Sequence, residues 1–353
     1  MSRAMREPPR IAEEDLRICL QEQYDLGRVT LEFLPLGHDY DAGVYRAVSE
    51  SGMAYLLKVT SRPLYEPRCL VPRYLNDQGI ISVVAPLRSR SGALWTVLAE
   101  WTAIVYPWIS GESSLTGMTD EQWKQLGTSF QQIHQVSLPP VGFESLRKET
   151  FDPSEYMQWV RAFETQHVHA EDGGVVERVV RSSWVAHQST IHTILTSLEK
   201  LAGVLRSRTL PSVICHGDLH ARNLIRDRAD QVFVVDWDEV LLAPKERDFL
   251  FVRPPHAAAF WQGYGQMEID WVALTYFLWE RVVQDLIYCT SNVWFKEDWG
   301  EESRLEAAQL LDVILAEDNG HIDAAYQASA HLSAELTVDR VNKASTSGGP
   351  VVS

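Results

Sequence analysis

Cysteine is scarce in this chain: Cys19, Cys69, Cys215 and Cys289 are the only four among 353 residues, and no two of them form a CxxC pair. That spacing argues against a zinc site and against a disulfide framework, so the four read as small, reduced interior residues. Long apolar runs are missing as well. No window approaches the roughly 18 consecutive apolar residues of a membrane span, and the opening MSRAMREPPR lacks the apolar stretch of a signal peptide. The expectation is a soluble, cytoplasmic protein with no membrane partner. Positive charge is also short, since 32 Lys and Arg face 48 Asp and Glu for a formal net charge of −16. A surface so poor in cations does not replace the counterions of a nucleic acid or an anionic bilayer, whereas it is compatible with a cationic small molecule. The same acidity serves solubility in its own right.

What is present is an ordinary globular composition, 45% hydrophobic and 23% charged, in a chain longer than one typical core accommodates. Two lobes are expected. In the first hundred residues, Leu31–Leu36, Val44–Val48 and Ala54–Thr60 are short runs of branched and aromatic residues bounded by Gly37, Gly43 and Gly52. Ala93–Leu98 and Thr102–Trp108 add a strand pair after the turn signal Ser89–Gly92, which makes a five-stranded antiparallel sheet. Beyond Trp108 the period becomes helical. Thr119 and Gln122 make a capping box, and Trp123, Leu126, Phe130 and Ile133 predict a helix over Asp120 to Val136. Further helices are predicted through Tyr156–Phe163, Val176–Leu205 with a break in its middle, Asp270–Cys289 and Ser303–Ala316. The class is α+β, a small sheet lobe over residues 1–106 followed by a larger, mostly helical lobe over 107–341. Residues 342–353 are rich in Ser and Gly and are expected to be disordered.

Chemistry concentrates in VICHGDLHARNLIRDRADQVFVVDWDE, Val213 to Glu239. Val213–Cys215 leads into His216-Gly217-Asp218, Leu224–Arg226 follows Asn223, and Val232–Val235 ends in Asp236. Paired as a hairpin around Asp227–Asp230, the two runs bring Asn223 and Asp236 together. An amide oxygen and a carboxylate beside a second carboxylate suit a hard cation, Mg²⁺ above all, which completes its shell with water and substrate phosphates. Phosphoryl transfer asks mainly for alignment and charge neutralisation, with Asp218 placed to take the acceptor hydroxyl's proton.

HGDxxxxN from His216 to Asn223, followed after a hairpin by Asp236, resembles the signature of the aminoglycoside phosphotransferase family, itself similar to protein kinases. The run Asp236-Trp237-Asp238-Glu239 with Ala243 to Asp248 resembles more narrowly the spectinomycin phosphotransferases, as do WKQLG at Trp123–Gly127 and ERVVQD at Glu280–Asp285. The resemblance spans about Leu31 to Tyr288 and implies a bilobal, protein-kinase-like fold with ATP and Mg²⁺ as cofactors. It implies Asp218 as the catalytic base, Asn223 and Asp236 as metal ligands, and Asp248 as a structural tie to the helical lobe. His216 reads either as a loop brace or as an acid or base, with the brace preferred.

Lys58 alone reads as an edge-strand lysine facing solvent. Beside the downstream signature it matches the kinase-like lysine that holds the α- and β-phosphates. Its expected partner is Glu66, which reads equally as a charge at a helix N-terminus, because Pro72 is expected to interrupt the helix that Pro67 starts. The phosphate-covering loop falls at Leu36–Val44 and lacks GxGxxG, having glycine only near its two ends. Adenine is expected against the backbone of Tyr106, Trp108 and Ile109, where Pro107 removes one donor. Carboxylates for a cationic aminocyclitol acceptor are expected at Asp238, Glu239 and Glu280, with Asp218 adjoining, while Arg281 and Asp285 read as an i,i+4 ion pair. The activity implied is ATP-dependent phosphorylation of an aminoglycoside or aminocyclitol hydroxyl, spectinomycin first. A metabolite kinase for choline, homoserine or a thiosugar, and a non-catalytic nucleotide-binding protein, are the alternatives.

Overall fold

The computed structural model describes residues 8–35, 42–139, 141–168, 173–295, 301–316 and 320–337. The tail at 342–353 and most of the loop expected to cover the phosphates, residues 36–41, lie outside that range. The chain forms two compact units, one of Met1–Glu149 with Pro211–Glu268, the other of Thr150–Leu210 with Ile269–Ser353. Among the described residues no helix is long and apolar enough to cross a membrane.

The first unit opens with helix α1 (Glu13–Tyr24), followed by strands β1 (Val29–Leu34), β2 (Ala42–Ser49) and β3 (Ala54–Thr60). Helix α2 (Pro67–Asp77) and strands β4 (Thr96–Leu98) and β5 (Trp101–Pro107) complete a five-stranded antiparallel sheet of order β1-β2-β3-β5-β4. The sheet expected from the apolar runs is present. Helix α1 is an addition to that reading. Its Leu16, Cys19, Leu20 and Tyr24 are buried at helical spacing and join Tyr45, Ala47, Leu57, Val59 and Val105 of the sheet in one core. Three consecutive acidic residues in its first turn, Glu13 to Asp15, favour the positive end of the helix dipole.

Helix α2 runs through Pro72 instead of breaking there. Pro67 occupies the first turn, where a missing N–H costs nothing, so Pro72 forfeits only the bond that would reach Arg68's carbonyl. Burial of Cys69, Val71, Pro72 and Leu75 offsets that loss.

The remainder of this unit holds β6 (Gly111–Glu112), α3 (Asp120–Gln135), β7 (Val213–Cys215), β8 (Leu224–Asp227), β9 (Val232–Val234), β10 (Leu241–Ala243) and α7 (Ala257–Tyr264). Thr119 and Gln122 form the capping box that the sequence predicts, each side chain accepting from the other's backbone N–H. Helices α3 and α7 meet through two glycines. A Cβ on Gly127 would stand 2.1 Å from the carbonyl oxygen of Phe260, and one on Gly263 would stand 1.9 Å from that of Lys124. That approach brings His134 of α3 to Tyr264 of α7, with Nδ1 and the hydroxyl 2.8 Å apart.

The second unit is helical: α4 (Ser154–Phe163), α5 (Val175–Ala186), α6 (Gln188–Arg206), α8 (Trp271–Trp294), α9 (Glu301–Leu315) and α10 (His321–Ser329). The break expected within Val176–Leu205 falls at His187, between α5 and α6. Asp270 caps α8 by accepting from the N–H groups of Val272 and Ala273, so the helix starts where the sequence places it and then runs past Cys289 to Trp294.

Candidate active site

The site grows from one hairpin and one strand. β8 and β9 pair antiparallel with Leu224 opposite Val234, and Val235 N–H donates to the carbonyl of Asn223 at 2.9 Å. Asn223, at the entrance to the hairpin, therefore lies across from the residue just before Asp236, as the alternating pattern implies. Asn223 is 5% exposed and donates through Nδ2 to the backbone oxygen of Asp218 at 2.8 Å. With its amide nitrogen so engaged, the side-chain oxygen is the atom left to face a cation. With the carboxylate of Asp236 that oxygen would offer a hard donor pair, which fits Mg²⁺ better than any softer metal.

Asp236 adopts a left-handed backbone with φ 63°, a conformation uncommon outside glycine but tolerated by aspartate. The turn aims its carboxylate back at the sheet, where Oδ1 lies 2.8 Å from Nζ of Lys58 on β3. The nearby ammonium holds this carboxyl below the usual aspartate range, against the effects of burial and of Asp218's negative charge. Burial by itself would lower the Lys58 ammonium, but Asp236 and Asp238 together keep it above the ordinary lysine value. Lys58 is thus a largely covered cation between two carboxylates, with Nζ 2.7 Å from Oδ2 of Asp238.

The loop carrying Asp218 is fixed from behind. His216, fully buried, donates from Nε2 to the carbonyl of Val235 at 2.9 Å and packs against the Trp237 ring. Its Nδ1 is then the acceptor that faces the Asp218 N–H at 3.4 Å. His216 is therefore a brace between the loop and the hairpin. Gly217 has φ 86°, and a Cβ there would stand 2.3 Å from the carbonyl oxygen of Glu239, so both conformation and space require glycine. Asp218 itself is partly exposed, and Nε2 of His220 lies 3.5 Å from its Oδ2.

Asp248 anchors the same loop to α3. Its two oxygens accept from the N–H groups of His216 at 2.9 Å and Gly217 at 3.1 Å, and Oδ2 also accepts from Nε2 of His134 at 3.1 Å. Complete burial works against its charge, but the bond from His134 and the backbone N–H of Gly217 hold its carboxyl below the ordinary aspartate range. A depressed value stabilises the fold above the unfolded value, about pH 4, and the contribution disappears as pH falls through the folded one. Asp248→Asn should cost about 2–4 kcal/mol at neutral pH. In urea unfolding the gap between the two proteins should narrow steadily below pH 4. A gap that stays constant to pH 3 would show that Asp248 is not the charged anchor.

Not every predicted residue stands where its expected role requires. Glu66 is exposed at the N-cap of α2, its carbonyl accepting from Cys69 and Leu70, and the carboxylates on Lys58 are Asp236 and Asp238 instead. Asp238 is turned toward Lys58 and the buried Arg68, whose Nη1 is 3.6 Å away. Glu239 is paired with Arg147 at 3.0 Å, and that guanidinium also lies 4.3 Å from the centre of the Tyr65 ring. Tyr106 pairs with Leu56 in the sheet, and burial pushes its hydroxyl well above the usual tyrosine value. The N–H of Trp108 already donates to Ala54 at 3.3 Å, and half-buried Ile109 follows directly. Glu280 lies in the second unit, 5% exposed on α8 with the Tyr276 hydroxyl donating to it at 3.4 Å. Arg281 and Asp285 form the predicted ion pair at 2.9 Å. Arg68, Arg147 and His220 were not singled out by sequence. Arg68 alone carried a signal, a charge set between Pro67 and the apolar Cys69–Val71.

Over residues 32–281 the sequence matches the phosphotransferase enzyme family. No curated protein matches it. The structure of spectinomycin phosphotransferase APH(9)-Ia in complex with ADP and spectinomycin is similar at a TM-score of 0.79 and 28% identity, covering 89% of this chain and 98% of that one. Fold alone is shared with two others. Amicoumacin kinase hAmiN, in complex with AMP-PNP, Ca²⁺ and Ami, superposes at 0.55 with 16% identity, covering 82% of this chain and 89% of that one. Choline kinase LicA from Streptococcus pneumoniae gives 0.53 with 16% identity, covering 86% and 99%.

Proposed function

The chain belongs to the phosphotransferase enzyme family, and from that premise we propose that it moves the γ-phosphate of ATP to a hydroxyl of an aminocyclitol antibiotic, spectinomycin before others. Residues 1–106 act as the nucleotide lobe and 107–341 as hinge and acceptor lobe. The observation that carries the chemistry is the meeting of Lys58 and Asp236, 178 residues apart in sequence and 2.8 Å apart in space, beside a loop in which Asn223 holds Asp218. The 28% identity to the spectinomycin enzyme over 89% of the chain supports the acceptor.

Asn223 and Asp236 would hold Mg²⁺, which supplies neutralisation of the phosphate oxygens. Lys58 exchanges its contact with Asp236 for phosphate oxygens, a charge-assisted bond of the same kind. Asp218 accepts a hydrogen bond from the acceptor hydroxyl, aligns it with the phosphorus and receives its proton as the new O–P bond forms and the bond to ADP breaks. Backbone groups at Tyr106 and Ile109 receive the adenine.

The test is ADP formation with ATP and Mg²⁺ in the presence of spectinomycin, other aminoglycosides, choline, homoserine and a thiosugar. Turnover is expected with spectinomycin, at a kcat/KM at least about a hundredfold above any metabolite, since acceptor discrimination of this kind rests on several desolvated polar contacts. Turnover with a metabolite alone would make the chain a metabolic kinase of this fold. Shared fold and shared ATP chemistry leave the acceptor to be decided by the pocket.

A further inference from the structure

We propose that Asp238, held by Arg68, is the carboxylate that positions Lys58 for the nucleotide phosphates, the duty that sequence spacing suggests for Glu66. The inference rests on the phosphotransferase reading of Lys58. It replaces the acceptor-binding role expected of Asp238.

The two carboxylates on Lys58 are not equivalent. Asp236 follows the hairpin that presents Asn223 and is the one required by a divalent cation, and a carboxylate engaged by such a cation has less charge to offer an ammonium. Asp238 has no competing duty of that kind. Its Oδ2 lies 2.7 Å from Nζ of Lys58 and 3.6 Å from Nη1 of Arg68, so it sits between two cations. Its backbone oxygen accepts from Nη2 of Arg147 at 3.2 Å, which fixes the segment from the other side.

Arg68 explains why this carboxylate is in place. The Arg68 side chain is 8% exposed, its Nε and Nη2 have no hydrogen-bond partner, and Asp238 is its ion-pair partner among the described residues. A guanidinium buried to that degree demands an anion nearby, so it draws Asp238 onto the α2 side of Lys58. In many kinases the helix after the lysine strand contributes the glutamate; here α2 contributes an arginine and the carboxylate comes from beyond β9. Lys58 is then held by Asp238 whether or not Asp236 is occupied by metal.

The test measures MgADP affinity by calorimetry without any acceptor, then KM for ATP and for the acceptor separately. Asp238→Asn should weaken MgADP binding by about tenfold or more and raise the ATP KM alike, with the acceptor KM within about twofold of wild type. Asp238→Glu should recover part of the affinity, and Arg68→Met should move the same parameters in the same direction. Because Asp238→Asn leaves Arg68 buried without an anion, the Asp238→Asn/Arg68→Met double variant is the check on a folding defect. It should melt closer to wild type yet still bind MgADP about tenfold more weakly. Wild-type MgADP affinity in the folded double variant, or a raised acceptor KM with unchanged nucleotide affinity, overturns the proposal. Failure of the wild-type protein to bind MgADP is a separate result and removes the phosphotransferase reading itself.

Discussion

Asp218→Asn is expected to lower kcat by about a thousandfold while leaving MgATP binding within about twofold of wild type. The substitution retains the shape of the side chain and one hydrogen-bond acceptor but removes the charge that attracts the hydroxyl proton. Loop geometry should survive, because it rests on the backbone of Asp218: its N–H faces Nδ1 of His216 at 3.4 Å and its carbonyl accepts from Asn223 at 2.8 Å. The gap between lost turnover and retained binding is the diagnostic. It is read from steady-state ADP release with the acceptor that turns over, beside calorimetry with ATP. A variant with near-normal kcat would leave Asp218 without a role in proton transfer.

The second large effect belongs to Asp236. Asp236→Asn should depress kcat/KM by about a thousandfold, and added Mg²⁺ should not restore it, since the charged member of a two-residue donor pair is gone. Lys58 loses its 2.8 Å partner as well, but Asp238 remains at 2.7 Å, so the lysine stays in place and the deficit should lie in metal-dependent steps. Metal-free nucleotide affinity separates the two contributions and should change little. Asp236→Ala should be equally inactive and less stable by about a further 1–2 kcal/mol, because alanine tolerates the left-handed backbone poorly whereas asparagine adopts it readily. Equal melting of the two variants would argue that φ 63° at this position carries no conformational cost.

Local pattern made much of this protein legible. The strand β3 is found at Ala54–Thr60 as expected, the capping box places the start of α3 at Asp120, and the hairpin of β8 and β9 brings Asn223 across from Val235. Such features depend on backbone period and on turn residues a few positions apart, which a linear sequence displays directly. Helix α1 is within reach by the same logic, since Leu16, Cys19, Leu20 and Tyr24 keep helical spacing. The passage of α2 through Pro72 is not, because a single forfeited hydrogen bond is outweighed only once the buried neighbours are known.

The sequence by itself determined the candidates: Lys58, Asp218, Asn223 and Asp236 are picked out by residue type, order and spacing, in the pattern that phosphoryl transfer would call for. Only the tertiary structure decided which charges pair. That Lys58 rests against Asp238 instead of Glu66, that Arg68 is buried beside it, and that Glu239 is engaged by Arg147 follow from contacts between residues as far as 180 positions apart. The physical reason is desolvation. A buried cation takes the anion that packing brings within reach, and packing depends on which faces of the helix and the hairpin meet the sheet.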